Sequence, residues 1–384
     1  MAQQANHALP PGYQLDEYRI EHQLSLGGFS IVYLACDASK RFVAIKEYLP
    51  NSLALRGEGE VKPVISDEHM PAFRYGMKCF FEEGRALAKL SHPNVIRVLN
   101  FFRSNDTVYM VMEYEQGRTL QEFIQKNRAV VTENFLRNVF TKLLNGLREV
   151  HSHKLLHLDL KPSNIYMRND YTPVLIDFGA ARQVIGDMTQ ALTVILKPGF
   201  APIEQYADDE SMRQGPWTDI YGVGAVLYYA VTGKAPTASV ARLVKDPLKK
   251  LATLPDIGVS QEFAGAIDHA LGLFPADRPQ SVDDFLAELL RNDASISYLP
   301  ISTTLSGAAV GASRISALDA LSEEGANTKV DATALNTGTV DVLSPPVHEE
   351  LATSMVSTVM QPITPSIEVL SDAPVLRDPI LGDG

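Results

Sequence analysis

The chain has 384 residues, of which 45% are hydrophobic, and it carries a formal net charge of −12. Its length allows a large core and more than one domain. The negative charge argues against nucleic acid as the main partner, because binding to phosphate backbones needs clustered Lys and Arg. Two cysteines, Cys36 and Cys79, indicate neither a disulfide framework nor a cysteine metal site and are typical of a reducing cytoplasm.

The N-terminal third is predicted to be mostly β. Residues 1–14 predict a flexible leader, without the basic start and apolar run of a signal peptide. β-Branched and aromatic residues from Tyr18 to Glu47 predict three antiparallel strands, and similar runs predict two more at 95–102 and 108–113. Between these groups, apolar residues at helical spacing predict one helix over 71–90.

An irregular segment from Tyr48 to Met70 separates the third strand from this helix. Its prolines, Pro50 and Pro63, argue against a regular helix or a central strand. The segment is either a regulatory element beside the helix or a passive surface loop, and we favour the surface loop.

The second part of the chain is predicted to be mostly helical. Thr119 begins a helix with a capping pattern, and apolar residues from Thr132 to His153 predict a long helix that is buried on most sides. The most apolar window, Ile220–Val231, is shorter than the roughly 20 residues that cross a membrane, so a buried core helix is expected there. Further helices are predicted over 218–232, 239–252, 260–272 and 281–292.

From about Tyr298 the composition changes to a tail rich in Ser and Thr. Residues 300–384 contain eleven Asp and Glu and three Lys and Arg, a net charge of −8. Such a segment buries too little apolar surface to offset the entropy of ordering it, so disorder is expected over 296–384. Thr328, with Asp331 three positions later, has a spacing that phosphothreonine-reading domains favour; a docking partner and an unmodified tether both fit this pattern.

Two polar motifs lie in the middle of the chain. HLDLKPSN at 157–164 places Asp159, Lys161 and Asn164 in one loop that a proline interrupts, and DFG follows at 177–179. Two acidic groups and a nearby amide oxygen are able to hold a divalent metal against phosphate oxygens. The two motifs therefore predict a metal and phosphate site.

The order of the motifs resembles that of the protein kinases, and LKPGFAPIEQY is similar to a segment of bacterial eukaryotic-type Ser/Thr kinases. The series comprises SLGGFSIVYLA, VAIK, an isolated helix Glu, HLDLKPSN, DFG and APIE. Each motif alone is common, but six in this order are specific. The resemblance covers residues 15–295 and implies an α+β, bilobal fold, with a small β-rich lobe at about 15–115 and a larger helical lobe at about 116–295.

The resemblance implies a role for each charged residue of these motifs. Lys46 would bind the α and β phosphates of ATP and pair with a helix carboxylate. Glu83 fits the spacing of the following leucines, and Glu82 is the competing choice. Asp159 would orient the substrate hydroxyl, and Lys161 would neutralise the transferred phosphoryl group.

The same resemblance implies ATP and Mg²⁺ as cofactors. Asn164 and Asp177 would ligate the metal. The backbone near Glu113 and Tyr114 would form hydrogen bonds with the base. The residues implied for the nucleotide pocket are Leu24, Gly27, Gly28, Val32, Ala44, Lys46, Met112, Glu113, Tyr114 and Tyr166.

Supporting contacts are implied as well. His157 would pack beneath Phe178 rather than act as a base. Glu204 would pair with Arg278. An aspartate at the start of the apolar helix, Asp219, would hold the backbone of the catalytic loop.

Three features depart from the family pattern. Ser25 and Ser30 replace the first and third glycines of the phosphate-covering loop, which favours weaker ATP binding. Leu158 replaces the Arg that normally pairs with a phosphorylated activation loop, so activity is not expected to depend on that phosphorylation. Lys197 replaces a Thr and adds a cation near the catalytic residues.

We therefore predict an ATP- and Mg-dependent kinase in the cytoplasm that phosphorylates Ser and Thr of proteins, including its own. A pseudokinase scaffold is the alternative that the lost glycines and Lys197 favour. A small-molecule kinase is the third interpretation, and the APIE and ADRP elements argue against it. Expected partners are protein substrates with Ser or Thr, without nucleic acid and without a membrane span.

Overall fold

The computed structural model describes residues 6–179, 197–206 and 212–291. The chain divides into two units, Met1–Ser302 and Thr303–Gly384, and the described residues all belong to the first. The tail predicted over 296–384 lies outside them. Within the described ranges, no helix is both long and apolar enough to cross a membrane.

The first part of the fold is an antiparallel sheet with one helix. Its strands are β1 (Gln14–Leu15), β2 (Tyr18–Leu26), β3 (Ser30–Cys36), β4 (Phe42–Tyr48), β5 (Val98–Ser104) and β6 (Thr107–Glu113). They lie in the order β1-β2-β3-β4-β6-β5. Helix α1 (Met70–Leu87) packs against β5 and β6. The predicted β-rich lobe with a single helix is confirmed.

The N-terminal segment differs from the prediction. Asn6 and Leu9 are only 3% and 2% exposed. The side chain of Asn6 donates hydrogen bonds to Asn51 Oδ1 at 2.7 Å and to Ala54 O at 3.2 Å. A flexible leader is therefore the wrong description of residues 6–14, because their buried groups bond to a distant part of the chain.

The irregular segment between β4 and α1 is also packed. Leu53 and Arg56 are 3% and 2% exposed, and Leu55 forms an isolated antiparallel bridge with Val64. The passive surface loop that we favoured is therefore wrong for residues 49–56. The prolines of the segment exclude regular structure, but they do not exclude burial.

The second part of the fold is helical around a small sheet. Its helices are α2 (Leu120–Lys126), α3 (Glu133–Ser152), α4 (Pro216–Thr232), α5 (Ser239–Arg242), α6 (Gln261–Ala270) and α7 (Val282–Leu289). The sheet has the order β7-β8-β9, formed by β7 (Gly117–Thr119), β8 (Ile165–Arg168) and β9 (Pro173–Leu175). Helix α3 begins after Thr132, whose side chain accepts a hydrogen bond from the backbone of Phe135. The predicted core helix α4 is buried along most of its length.

One predicted helix is much shorter than expected. The pattern predicted a helix over 239–252, whereas α5 ends at Arg242 and a separate 3₁₀ turn covers 251–253. Pro247 lacks the N–H that a helix interior needs, and it disfavours helical geometry at Asp246. Asp246 instead pairs with Arg242 at 2.8 Å.

Candidate active site

One buried carboxylate holds the loop of HLDLKPSN. Asp219, near the start of α4, is 1% exposed. Its oxygens accept hydrogen bonds from the backbone N–H groups of His157 and Leu158, both at 2.8 Å, and lie 2.8 Å from His151 Nε2. Burial alone raises the pKa of Asp219, but the hydrogen bonds it accepts, including the one with His151, outweigh burial, so its pKa lies below the usual value. Asp219 is therefore an ionised anchor for the loop.

The ring of His157 fills the space behind the loop. It is fully buried and stacks on Phe178, with ring centroids 4.4 Å apart. The backbone N–H of Asp159 donates to Nδ1 at 3.3 Å, and Nε2 lies 3.1 Å from Ile176 O, which assigns the proton to Nε2. Burial lowers the pKa of His157. The neutral ring therefore supports the loop, as its packing role implied.

Three polar side chains of the loop converge. Lys161 Nζ and Asn164 Nδ2 each lie 2.6 Å from Asp159 Oδ2. The amide of Asn164 also donates to the backbone carbonyl of Asp177 at 3.2 Å. The 3₁₀ turn over Pro162–Asn164 brings these groups together. The arrangement places a carboxylate, an ammonium group and an amide where a hydroxyl and a phosphoryl group are able to meet.

The lysine of VAIK, Lys46, contacts Asp177 from the large sheet. Lys46 Nζ lies 3.1 Å from Asp177 Oδ1 and 5.7 Å from the ring centroid of Phe80 on α1. Glu83 is half-buried on the same helix, whereas Glu82 is exposed and 3.9 Å from Lys78. The less exposed position of Glu83 favours it over Glu82 as the partner of Lys46. The Lys46–Glu83 pair stays a prediction.

A cavity of about 680 Å³ opens above these residues. Its size falls in the range of small-molecule sites. Lys161, Asn164 and Asp177 line its floor. At one wall, the backbone of Glu113 is held by its N–H, which donates to Arg97 O at 3.0 Å. Nine of the ten residues implied for the nucleotide line the cavity: Leu24, Gly27, Gly28, Val32, Ala44, Met112, Glu113, Tyr114 and Tyr166.

The donor set at the floor fits a hard divalent cation. Asn164 turns its amide nitrogen towards Asp159, so its oxygen, 3.4 Å from Ser163 Oγ, is the atom left for a metal. The carboxylate of Asp177 is the second oxygen donor. No group of three or more His, Cys, Asp or Glu side chains is clustered within the described ranges. A cation here would therefore need water or phosphate oxygens as well, which is the usual way that Mg²⁺ binds.

A buried ion pair joins the APIE motif to a residue near the end of the helical lobe. Glu204 and Arg278 are joined by hydrogen bonds of 2.7 and 3.0 Å, and neither side chain is exposed. The hydroxyl of Thr218 also donates to Glu204 at 2.9 Å. Lys197 is exposed, and its predicted effect on the catalytic residues stays a prediction. The predicted Glu204–Arg278 pair is therefore confirmed.

The protein kinase domain model matches residues 18–296 of the chain. The chain belongs to the protein kinase family. Serine/threonine-protein kinase pkn3 of Myxococcus xanthus is 30% identical over 290 residues, which are 71% of this chain and 49% of that protein. Serine/threonine-protein kinase B of Synechocystis is 33% identical over 224 residues, 56% of this chain and 36% of that one. The chain thus spans about half or less of the length of these two curated kinases.

Solved kinase structures agree with the fold. The apo form of PpkA-294 is 38% identical, with a TM-score of 0.68, and the match covers 73% of this chain and 99% of PpkA-294. The kinase domain of Mycobacterium tuberculosis PknI is 21% identical with a TM-score of 0.55, and the match covers 73% of this chain and 98% of that domain. The second likeness shows the fold alone. The predicted bilobal kinase fold is confirmed.

One residue that supports the kinase site, Gln205, was missed from the sequence. Gln205 donates from Nε2 to the carbonyl of Leu158 at 2.8 Å. His151, whose position at the end of the long helix indicated a structural role, contacts Asp219. Leu158 itself has a φ of +63°, which is unfavourable for a branched side chain. The position of Gln205 directly after APIE was the one available signal, and it does not reveal the contact.

Proposed function

We propose that the chain transfers the γ-phosphoryl group of ATP to Ser and Thr hydroxyls of proteins, using Mg²⁺. The observation that carries this proposal is the convergence of Asp159 with Lys161 and Asn164. Lys161, Asn164 and Asp177 line one cavity. The names of three curated relatives, each a serine/threonine-protein kinase, support Ser and Thr as the acceptors. Autophosphorylation and a cytoplasmic location belong to the same proposal.

Each residue has a distinct part in the proposed reaction. The carboxylate of Asp159 accepts a hydrogen bond from the substrate hydroxyl and takes its proton as the bond to phosphorus forms. Lys161, which lies 2.6 Å from Asp159, offsets the negative charge of the transferred group. Lys46 holds the phosphates that remain on the nucleotide. Mg²⁺ held by Asn164 and Asp177 would supply further positive charge at the phosphates.

Activity without a phosphorylated activation loop is a further part of the proposal. The backbone N–H of Leu158 donates to Asp219, and its carbonyl accepts from Gln205, both at 2.8 Å. The loop is thus held at this position by the helical lobe itself. A phosphorylated residue that pairs with an Arg is the usual means of fixing it, and Leu158 has no charge for such a pair.

The experiment is a phosphoryl-transfer assay with the full chain. Purified protein is incubated with ATP, Mg²⁺ and a generic protein substrate, and phosphorylated Ser and Thr are counted by mass spectrometry. We expect Asp159→Asn to lower the initial rate by about 10²-fold or more, since it removes the proton acceptor. Asp170→Asn is the matched control, because Asp170 is an exposed turn residue that accepts from the backbone of Thr172.

The pseudokinase alternative predicts a different result. Ser25 and Ser30 line the cavity in place of the usual glycines, which is the observation in its favour. A scaffold would leave protein substrates unmodified, and Asp159→Asn would then be indistinguishable from the unchanged protein. A partner that reads a phosphorylated Thr328 stays a prediction, since this residue lies outside the described part of the chain.

A further inference from the structure

The face of the large sheet that points away from the cavity carries charged and polar residues that are fully buried. Successive side chains of a strand point to opposite faces, so Lys46 and Glu47 of β4 lie on different sides of the sheet. Glu47 pairs across the strands with Tyr109. Glu47, Tyr33 and Tyr109 all have zero exposure. A structure must therefore cover this face and satisfy the carboxylate.

Arg56 satisfies Glu47 with a two-pronged contact. Its guanidinium donates to the two carboxylate oxygens at 2.6 and 2.7 Å and to Tyr33 Oη at 2.8 Å. Its Nε donates to His7 O at 2.8 Å. Tyr33 and Tyr109 each donate to Glu47 at 2.7 Å. Such a pair is stable in a buried place only when further hydrogen bonds complete it, as they do here.

The two covering segments are residues 6–9 and 49–56, and we call them the N-terminal clamp. Asn6 joins the two segments. Its amide nitrogen donates to Asn51 and Ala54, and its amide oxygen accepts from the backbone N–H of Arg56 at 2.6 Å. At the other end, the N–H of Leu9 donates to Tyr33 Oη at 3.1 Å. The clamp is therefore bonded both to itself and to the sheet.

The clamp also reaches the loop that covers the cavity. Ser30 pairs with Tyr48 at the end of the β3–β4 ladder. Beyond this pair, the N–H of Leu49 donates to Phe29 O at 2.9 Å, and the N–H of Asn51 donates to Gly28 O at 2.8 Å. Gly28 and Phe29 both line the cavity. The backbone of residues 49–51, which Asn6 holds, thus extends the β3–β4 hydrogen-bond ladder to the phosphate-covering loop.

We propose that Asn6, Asn51 and Arg56 are positioning residues for the nucleotide. They fix the clamp, which holds Gly28 and Phe29 over the cavity and keeps the strand of Lys46 in place. The inference rests on the proposed function only in taking ATP as the occupant of the cavity. The phosphate-covering loop has Ser25 and Ser30 in place of glycines. The inference explains how this loop keeps its position, because the clamp restrains its backbone at Gly28 and Phe29.

The test measures ATP affinity and turnover separately in the full chain. Asn6→Ala removes the bonds that join the clamp segments, and Asn51→Ala removes one of them. We expect the Kd for ATP with Mg²⁺, measured by calorimetry, and the KM for ATP to rise about three- to tenfold in Asn6→Ala and by less in Asn51→Ala. The kcat at saturating ATP should stay within about twofold of that of the unchanged protein.

Two control variants separate positioning from a general loss of stability. Asn127→Ala removes a half-buried amide that donates to Phe123 O at 3.0 Å in the helical lobe, so it matches Asn51→Ala. Arg137→Met removes a buried Arg, 7% exposed, that bonds to Leu289 O. Both are expected to keep the ATP Kd of the folded protein unchanged, although Arg137→Met lowers its melting temperature.

The outcomes decide between the two proposals. If Asn6→Ala and Asn51→Ala both bind ATP like the unchanged protein, the clamp has no positioning role and the inference is overturned. If Asn6→Ala does not fold, Asn51→Ala decides, because that side chain is half-buried. Protein that binds ATP without phosphorylating substrates contradicts the proposed function, and the Kd comparison then still tests the clamp. Protein that binds no ATP overturns both.

Discussion

The two walls of the cavity are held in different ways. The lower wall contains the catalytic loop around Asp159, and the upper wall contains the phosphate-covering loop around Gly28. On the lower wall, the side chains of Asp219 and Gln205 bond directly to the backbone of the catalytic loop at Leu158. On the upper wall, backbone groups of residues 49–51 hold the phosphate-covering loop, and the side chain of Asn6 acts one layer further out. Side chains thus hold the catalytic loop directly. The phosphate-covering loop is held by backbone groups, which a side chain fixes in turn.

Each wall also rests on an ion pair without solvent exposure, Glu204–Arg278 below and Glu47–Arg56 above. The lower pair joins the segment after the activation loop to the end of the helical lobe. The upper pair joins a strand to the clamp. We therefore expect equal effects of the two pairs on stability and different effects on ATP binding, and this difference tests the comparison.

The largest effect on stability is expected at the buried ion pairs, and the lower pair should show it without a change in ATP binding. Arg278→Met leaves the Glu204 carboxylate buried without its guanidinium partner, which should cost about 3–5 kcal/mol in the free energy of unfolding. Urea denaturation measures this loss. The ATP Kd of the folded fraction should not change. Arg41→Met, at an exposed pair with Asp37, is the control and should unfold like the unchanged protein; a similar result for Arg278→Met would contradict the prediction.

The next effect concerns the anchor of the catalytic loop. Asp219→Asn keeps one oxygen to accept a hydrogen bond, but it turns an NH₂ group towards the second backbone N–H. One buried donor at His157 or Leu158 then lacks a partner, at a cost of about 1–3 kcal/mol. The rate of phosphoryl transfer should also fall, because Asp159 follows directly in the chain.

A matched carboxylate separates these two effects. Asp268 accepts from the backbone N–H groups of Leu251 and Ala252 at 2.8 and 2.9 Å. Asp268→Asn should therefore lose stability while each folded molecule keeps its rate. If Asp219→Asn kept its rate as well, the direct hold on the lower wall would have no part in the chemistry.

The lower wall was far easier to predict from the sequence than the upper one. Glu204, Arg278 and Asp219 each belong to a short motif whose spacing indicates its role. Asn6 and Arg56 lie in irregular segments outside the motifs, and their partners are distant in sequence; Asn6 and Asn51 are 45 positions apart. Composition indicates only that such segments are polar, and it does not show which polar groups are buried.

The error at α5 has a local cause. Apolar residues around Leu243 and Leu248 continue a helical pattern, but Pro247 between them interrupts the helix. The lengths of β5 and α1 differed from prediction by only a few residues, as element ends usually do. The fold class depended on the periodic patterns and the motif order, so these errors did not affect it.

A smaller effect is expected on the upper wall beneath α1. Tyr48 is 2% exposed between Phe73 and Phe80, and its hydroxyl has no hydrogen-bond partner among the described residues. Tyr48→Phe removes this unsatisfied group and should stabilise the protein by about 1 kcal/mol. Thermal unfolding measures the gain. Tyr109→Phe, which removes a donor to Glu47, is the contrasting variant and should destabilise; a lower melting temperature for Tyr48→Phe would refute the prediction.

The smallest effect tests whether the catalytic loop keeps its position without a phosphorylated activation loop. Thr189 and Thr193 follow Asp177 in the sequence, outside the described residues, and they are the candidates for activation-loop phosphorylation. Because Asp219 and Gln205 already fix both backbone groups of Leu158, the Thr189→Ala, Thr193→Ala double variant should keep its initial rate within about twofold.

Gln205→Ala provides the comparison for this result. It removes the hydrogen bond to the carbonyl of Leu158 and should therefore slow phosphoryl transfer more than the loss of both threonines does. A loss above about tenfold in the double variant would mean that a phosphorylated residue contributes more than about 1.4 kcal/mol to the transition state. In that case the loop would need a partner that a leucine cannot provide, and the hold by Asp219 and Gln205 would be insufficient.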